Sequence, residues 1–521
     1  MVHDATALRG SAPGPATASE TAHRVDRETA APTSSTLHAP MRSLLRAHWP
    51  LLVVLAIAAT VRVAVAVAYR PAIFFGDSWA YLDLAYGGSP VGFAPDRPSG
   101  YPLLIDLLSI FGRSLGAITT AQHLAGLLTG VLVYGLLVRL RVPRWLATAG
   151  AAVVLLDAYA IALEQQILAE AFFTVALAAS FFLVVGRDRG AAALAASGAL
   201  LAAAATMRTA ALFAVPVWML YVLWAHRRPR LIGPAALGLM LPLLAYASWH
   251  AADTGRFGLT QADGWFLYGR VGEIADCGNA DVPAAARPLC DRNARDRREG
   301  AAYHIWNADG PARRTFGGMS SDPDTQARSN DALRGFARAI IRDRPGRYAG
   351  LVRDDFLRYF TPGARARGNS DLAVALPQFG RIVRRNEIAR ARWFPGFVPH
   401  VSPPAKRVRD YHERVHIPRP LMAALAIAAL LQLAVAAGAY ALRRPPPPRC
   451  REVFLLAGAG LAMLLGTAAT SEFVLRYLIP AVPLLVCGGV AATADLASLA
   501  ARVVPLPLRG RTRGRPQPAV S

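Results

Sequence analysis

Residues 51–69 read LLVVLAIAATVRVAVAVAY and contain one charged residue, Arg62. Residues 191–225 are similarly apolar and again contain one charge, Arg208. A membrane-crossing helix needs about 20 apolar residues, and stretches that meet this condition recur along the chain. The sequence therefore predicts an all-α protein that crosses a membrane several times.

The composition supports the same class. Of 521 residues, 54% are hydrophobic and only 17% are charged, whereas soluble proteins carry about 25% charged residues. This excludes a disordered chain and argues against an ordinary cytosolic enzyme. The net charge of +23 comes almost entirely from arginine, since Lys406 is the only lysine. That bias is typical of a GC-rich genome. The sequence has no basic module interleaved with aromatic residues, so it does not predict nucleic-acid binding.

Ten stretches have the length and apolarity of membrane spans. They cover residues 47–69, 117–138, 145–163, 167–186, 191–207, 209–225, 231–250, 420–442, 452–470 and 474–497. Residues 101–112 are too short to cross and fit an interfacial or re-entrant helix. We therefore expect about ten or eleven transmembrane helices.

Short arginine-rich loops set the orientation, because cytoplasmic loops carry an excess of Lys and Arg. With ten spans, all of these loops lie on one side of the membrane, the cytoplasmic side. Both termini are then expected in the cytoplasm, and the protein in the plasma membrane. They contain Arg139, Arg141, Arg144, Arg187, Arg189, Arg227, Arg228, Arg230, Arg443, Arg444, Arg449 and Arg451.

This topology predicts five regions. They are a disordered cytoplasmic tail (1–40), an N-terminal bundle (45–250) with an outer loop (70–116), an extracytoplasmic α or α+β domain (251–419), C-terminal helices (420–497) and a basic cytoplasmic tail (498–521). Cys277 and Cys290 fall in the outer domain, where oxidising conditions favour a disulfide; the alternative is two separate buried thiols. Cys450 and Cys487 are expected to be free.

Most charges outside the basic loops fall on the predicted outer face. Charged groups at membrane depth are costly and usually face a cavity or a partner. The sequence thus predicts an outer cavity lined by carboxylates and arginines. The charges on this face are Asp77, Asp83, Glu164, Glu170, Arg208, Glu472 and Arg476. Of these, Glu164 is expected to be a solvated end residue and Asp83 an exposed one.

Four segments resemble the polytopic membrane glycosyltransferases of the GT-C fold. Arg62 in the first span precedes the acidic segment that contains Asp77 and Tyr81. Ser99-Gly-Tyr-Pro, Leu168-Ala-Glu-Ala-Phe-Phe and Arg476-Tyr-Leu-Ile-Pro follow in the order typical of this superfamily. The pattern is similar to protein O-mannosyltransferases, lipid A aminoarabinose transferases and actinobacterial arabinofuranosyltransferases, and it suggests an actinobacterial source. Many relatives have paired acids where this chain has Asp77-Ser78.

The resemblance implies inverting transfer of a sugar from a polyprenyl-phosphate donor in the bilayer to an extracytoplasmic glycan, lipid or protein acceptor. Such transfer needs a carboxylate base and cations for the leaving phosphate. We expect Asp77 as the general base and Glu170 as a second acid. The expected substrate and phosphate contacts are Arg476, Arg208, Arg62, Tyr81, Tyr477 and Glu472. No cofactor is required, and no motif indicates a divalent metal.

Simpler roles remain open for these residues. Asp77 fits a helix N-cap, Arg476 fits an i,i+4 pair with Glu472, and Arg62 and Arg208 fit snorkelling or structural pairs.

Other functions remain open as well. A transporter or flippase would also place charges in a membrane cavity, although the internal repeats typical of transporters are not evident. His412-Glu413-Arg-Val-His416 matches the H-E-x-x-H pattern of zinc proteases, but no third ligand is evident and Pro418 follows closely.

Overall fold

The computed structural model describes residues 38–88, 91–186, 189–226, 229–278, 282, 284–293, 298–365, 376, 393–395 and 400–503. The chain divides into two compact units, residues 1–49 and 50–521. In the first unit the described residues belong to the helix His38–Ala68. The tails predicted over 1–40 and 498–521 lie outside the described residues, except for 38–40 and 498–503, which are helical.

Six helices in the described part of the chain are long and apolar enough to cross a membrane, which confirms the helical membrane-protein class. Their spans are Arg46–Ala68, Leu115–Arg139, Arg230–Thr254, Arg419–Ala441, Cys450–Thr470 and Leu475–Ala501. The last comprises the 3₁₀ turns Leu475–Tyr477 and Ile479–Ala481 and the helix Val482–Val503. Arg144–Leu155 and Ala158–Glu164 pass the same test as a pair bent by 50°.

The other three predicted spans are helical but shorter. They are Glu170–Val184, Ala191–Met207 and Thr209–Ala225, which joins the 3₁₀ turn Thr209–Phe213 to the helix Val215–Ala225. At 1.5 Å per residue, a 17-residue helix covers about 26 Å, which is less than the hydrocarbon thickness of about 30 Å. The chain breaks at Arg208, whose backbone is extended (φ −148°, ψ 124°).

The loop predicted over 70–116 contains two short helices, Gly76–Tyr86 and Gly100–Leu108, and the 3₁₀ turn Ser109–Phe111. Tyr101 and Ile105 are buried, whereas Leu107 and Ile110 are exposed. A short helix is therefore present where the sequence predicted an interfacial or re-entrant one over 101–112. Its location at a membrane surface stays a prediction.

Two glycines allow close helix packing. A Cβ on Gly238 would lie 2.1 Å from the Ala195 carbonyl oxygen, and one on Gly198 would lie 2.6 Å from the Ala235 carbonyl oxygen. Small residues at such contacts let membrane helices approach closely. The helices Ala191–Met207 and Pro229–Thr254 pack together through these positions.

The region predicted as an outer domain has a separate hydrophobic core around Trp265, Tyr268, Leu333 and Phe336. Its helices are Asp263–Gly272, Ala301–Trp306, Pro311–Phe316, Pro323–Asp343, Pro345–Arg358 and Ala405–Arg414, with a 3₁₀ turn at Ala284–Leu289. The two-residue strands Tyr69–Arg70 and His400–Val401 pair antiparallel.

The four cysteines agree with the sequence prediction. Cys277 and Cys290 form the predicted disulfide. Cys450 and Cys487 are free and buried.

Candidate functional site

Asp77 lies in the first turn of the helix Gly76–Tyr86. The N-cap of this helix is Phe75, whose N–H donates to Ser78 Oγ at 3.0 Å, so Asp77 does not cap it. Instead, Asp77 Oδ2 accepts a hydrogen bond from Arg476 Nη1 at 2.6 Å. The carboxylate is therefore free of a capping role and points at a guanidinium that is 399 residues away in the chain.

Arg476 bridges two carboxylates. Besides its bond to Asp77, its Nε lies 3.8 Å from Glu170 Oε1. The 3₁₀ turn Leu475–Tyr477 carries Arg476, and the preceding residues 471–474 are not helical. Glu472 and Arg476 therefore do not lie on one helix, as the i,i+4 spacing would require, and Glu472 is buried in the non-helical segment.

Glu170 opens the helix Glu170–Val184 and is 2% exposed. Its Oε1 is bound by Arg208 Nη2. Its Oε2 is buried and has no hydrogen-bond partner among the described residues. Arg208 stands at the break between two helices and reaches inward to this carboxylate rather than to a headgroup.

Arg97 is a site residue that the sequence reasoning missed. Its Nη1 lies 3.3 Å from Asp77 Oδ1 and donates to the Asp77 carbonyl oxygen at 3.3 Å. Its Nε donates to Asp96 Oδ2 at 3.1 Å. The sequence could have indicated Arg97 through its position, because it lies two residues before the Ser99-Gly-Tyr-Pro segment and in the same loop as Asp77. We call the group of Asp77, Arg97, Glu170, Arg208 and Arg476 the acid–arginine cluster.

Aromatic rings border this cluster. The Tyr477 ring centre lies 5.4 Å from the Arg476 guanidinium carbon and 5.7 Å from that of Arg208. Tyr81 lies 5.3 Å from the Arg97 guanidinium carbon and packs edge-on against Tyr101 at 4.8 Å. Both predicted tyrosines, Tyr81 and Tyr477, thus lie beside arginines of the acid–arginine cluster.

The arginines control the ionisation of Asp77. Burial by itself would raise the pKa of Asp77, but Arg476, Arg97 and Arg208 outweigh it and hold that pKa well below its ordinary value. Asp77 is therefore a carboxylate at neutral pH. Burial raises the pKa of Tyr81 to about 12, so its phenol remains protonated.

The structure does not bring Arg62 into the acid–arginine cluster. Arg62 makes two 2.8 Å hydrogen bonds to the Glu164 carboxylate and a third to the Leu155 carbonyl oxygen. Glu164, expected as a solvated end residue, is instead buried, because Arg62 compensates its charge; His123 Nδ1 also lies 2.8 Å from its Oε2. We call Arg62, His123 and Glu164 the buried ion-pair network.

A cavity between the helices is lined by residues of both groups. Glu164 and Glu170 contribute to its wall, together with Asp157 and the mainly apolar or small residues Gly126, Thr129, Val154, Ala160, Leu163, Ala171, Thr174, Ile417, Ile479, Val482 and Pro483. Two buried carboxylates, Glu164 and Glu170, thus share the wall of one cavity.

The H-E-x-x-H segment does not adopt the geometry that a zinc site needs. The helix Ala405–Arg414 ends before His416, so the two imidazoles do not share a helix face. Both rings lie beside Tyr159, with centres at 5.1 Å for His412 and 4.9 Å for His416. Within the described ranges no group of three or more potential ligands is arranged to hold a metal.

The fold and the site define a helical membrane protein with an acid–arginine cluster. No protein-family model matches the chain, and no curated protein matches it. Among solved structures it is similar to the Archaeoglobus fulgidus oligosaccharyltransferase in complex with Zn and sulfate. This alignment has 14% identity and a TM-score of 0.34, and it covers 86% of this chain and 50% of that chain.

A second similar structure is the archaeal oligosaccharyltransferase AglB from Archaeoglobus fulgidus in complex with an inhibitory peptide and a dolichol-phosphate. Here the identity is 13% and the TM-score 0.32, over 89% of this chain and 53% of that chain. The chain spans about half the length of these proteins. A likeness at this level carries no conclusion about activity.

Proposed function

We propose that this protein is a membrane glycosyltransferase that moves a sugar from a polyprenyl-phosphate donor to an extracytoplasmic acceptor. One observation carries the proposal: five residues from four separate parts of the chain converge, so that two carboxylates lie among three arginines. Asp77 supplies the base, and Arg208 and Arg476 supply the positive charge that a phosphate leaving group needs. Membrane helices form the surrounding bundle, which suits a donor held in the bilayer.

The arginines suit a phosphate. Guanidinium groups bind phosphate oxygens through paired, charge-assisted hydrogen bonds. In the structure their partners are the carboxylates of Asp77 and Glu170. A donor phosphate would share these guanidiniums, and the developing charge on the leaving phosphate would then be stabilised by groups already in place.

The proposed chemistry is a single displacement. The acceptor hydroxyl oxygen attacks C1 of the sugar and passes its proton to Asp77. The bond between C1 and the phosphate oxygen breaks, and its electron pair leaves with the polyprenyl phosphate. One displacement inverts the configuration at C1. Glu170, whose Oε2 lacks a partner among the described residues, would orient the acceptor or share the proton.

This mechanism does not require a metal ion, because the arginines supply the positive charge. We therefore expect transfer to persist in the presence of EDTA. Loss of transfer in EDTA and its recovery with a divalent cation would contradict this part of the proposal.

A second candidate function is transport of a polar or glycolipid substrate. The observation in its favour is the buried ion-pair network deep in the bundle, which shares a cavity with Glu170. Arg62 and Glu164, however, are bound to each other through two hydrogen bonds, as in a structural pair.

One experiment separates the two functions. Proteoliposomes would receive radiolabelled polyprenyl-phosphate pentoses and hexoses with a cell-envelope acceptor, and both transfer and translocation of label would be measured. We expect wild type to transfer label, Arg476→Gln to lose transfer, and Arg353→Gln, an exposed arginine that pairs with Asp354, to behave as wild type. Translocation of label without transfer would favour the transporter.

A further inference from the structure

The segment 469–473, just before Arg476, is held by the helix Pro345–Arg358 and the residue after it. Tyr348 Oη donates to the Ala469 carbonyl oxygen at 2.8 Å. The Phe473 N–H donates to Asp355 Oδ2 at 3.2 Å, and the Phe473 ring lies 4.8 Å from that of Tyr359. Three contacts of different kinds therefore fix this short stretch.

Asp355 is the centre of this attachment. It is 2% exposed and accepts hydrogen bonds from Arg270 Nη1 at 2.6 Å and Arg358 Nη1 at 3.0 Å. Arg270 is 1% exposed and also donates to the Leu351 carbonyl oxygen at 2.8 Å. Because buried charges are tolerated only in well-made pairs, Arg270 and Asp355 hold each other in one geometry.

The attachment matters because residues 471–474 are not helical. A helix positions its own residues through internal hydrogen bonds, whereas an irregular segment depends on contacts with its surroundings. The Phe473 N–H is such a contact, and Arg476 follows only three residues later. The place of the Arg476 guanidinium between Asp77 and Glu170 therefore depends on where Asp355 holds Phe473.

We propose that Asp355, oriented by Arg270, is a positioning residue that sets the location of Arg476 in the acid–arginine cluster. This inference rests on the proposed function for its effect on catalysis. Asp355 touches no reacting atom; it acts on the phosphate-binding arginine through the Phe473 backbone. The region predicted as the outer domain would thereby control how firmly the site holds the donor phosphate.

The test removes the Asp355 contact together with the charge of its buried partner, Arg270. Asp355→Leu combined with Arg270→Met eliminates both charges together, which is often neutral for stability. The matched control is Asp263→Leu combined with Arg334→Met, an ion pair in the same region whose described contacts lie within that region. Thermal unfolding in detergent checks that both double variants fold.

The first readout does not depend on catalysis. The variants Asp77→Cys and Arg476→Cys are combined with Cys450→Ser and Cys487→Ser, and the two introduced thiols are joined by a short bismaleimide. We expect the cross-linking rate to change at least about threefold in the Asp355/Arg270 double variant, since the two positions lose their fixed spacing. The control variant should match the parent. An unchanged rate in a folded Asp355/Arg270 variant overturns the positioning role.

The second readout uses the native cysteines and the transfer assay. We expect the KM for the polyprenyl-phosphate donor to rise about tenfold in the Asp355/Arg270 variant. Added to Arg476→Lys, the same change should raise KM little further, because both act on one contact. If the KM increases of the two variants multiply fully when combined, the inference is overturned. Absence of transfer by wild type would instead count against the proposed function, while the cross-linking result still decides the positioning role.

Discussion

Asp77→Asn tests the proposed base while keeping the size of the side chain. The change removes the group that accepts the proton, and general-base catalysis typically contributes about 10²–10⁴-fold in rate. We expect kcat to fall by that factor, which corresponds to about 2.7–5.4 kcal/mol in activation free energy. Helix capping should be unaffected, because Phe75 rather than Asp77 is the N-cap.

The same variant should bind the donor at least as well as wild type. In the structure Asp77 competes for the Arg476 guanidinium through a 2.6 Å hydrogen bond and lies 3.3 Å from Arg97. Removal of one negative charge within such distances favours an incoming phosphate, and we expect the donor Kd to stay equal or to fall by up to about tenfold. A structural role for Asp77 would predict weaker binding instead.

The assay combines single-turnover transfer of radiolabelled sugar with equilibrium binding of polyprenyl phosphate. Asp83→Asn is the matched control, because Asp83 lies on the same helix and accepts a hydrogen bond from Trp393 Nε1 at 2.6 Å, which asparagine can also accept. A folded Asp77→Asn that transfers sugar within about threefold of the wild-type rate would refute the assignment of Asp77 as the base. The role would then pass to Glu170.

Three further predictions concern stability and pH. Arg62→Ala should lower the free energy of unfolding by about 3–5 kcal/mol, because it leaves the buried Glu164 carboxylate without its guanidinium; denaturant unfolding in detergent measures this, and a loss below 1 kcal/mol would contradict a structural pair. Cys277→Ser combined with Cys290→Ser should lower the free energy of unfolding by about 3 kcal/mol, because the disulfide closes a loop with a sequence separation of 13. Unchanged thermal unfolding would contradict a stabilising role for the disulfide. Because its arginine neighbours lower the pKa of Asp77, the base stays ionised as pH falls from 7 to 5. The pH profile of kcat/KM should therefore show no decrease caused by Asp77 in that range. A decrease that is present in wild type and absent in Asp77→Asn would contradict the lowered pKa.

Helix positions were predictable because they depend on local apolar content. All ten apolar stretches form helices, and the interfacial pattern over 101–112 yields the short helix Gly100–Leu108. The local apolar content could not predict which helices are too short to cross a membrane or where a helix bends. At the break, the Arg208 side chain pairs with Glu170, and this partner lies 38 residues earlier in the chain.

The site was only partly predictable. Asp77, Glu170, Arg208 and Arg476 were expected to share one cavity, since they fall on the same predicted face, and the structure places them in one cluster. Arg97 was missed because a lone arginine in a loop has no pattern of its own. Arg62 was grouped with the phosphate ligands, whereas its structural partner is Glu164, across 102 residues.

The sequence by itself determined that this protein is a helical membrane protein with charges gathered at predicted helix ends. Apolar length and charge placement depend on nearest neighbours in the chain, so they can be recognised without coordinates. Only the tertiary structure decided which acid meets which arginine. Asp77 and Arg476 pair across 399 residues, and the choice between a catalytic group and a structural ion pair depends on packing that brings such distant segments within 3 Å.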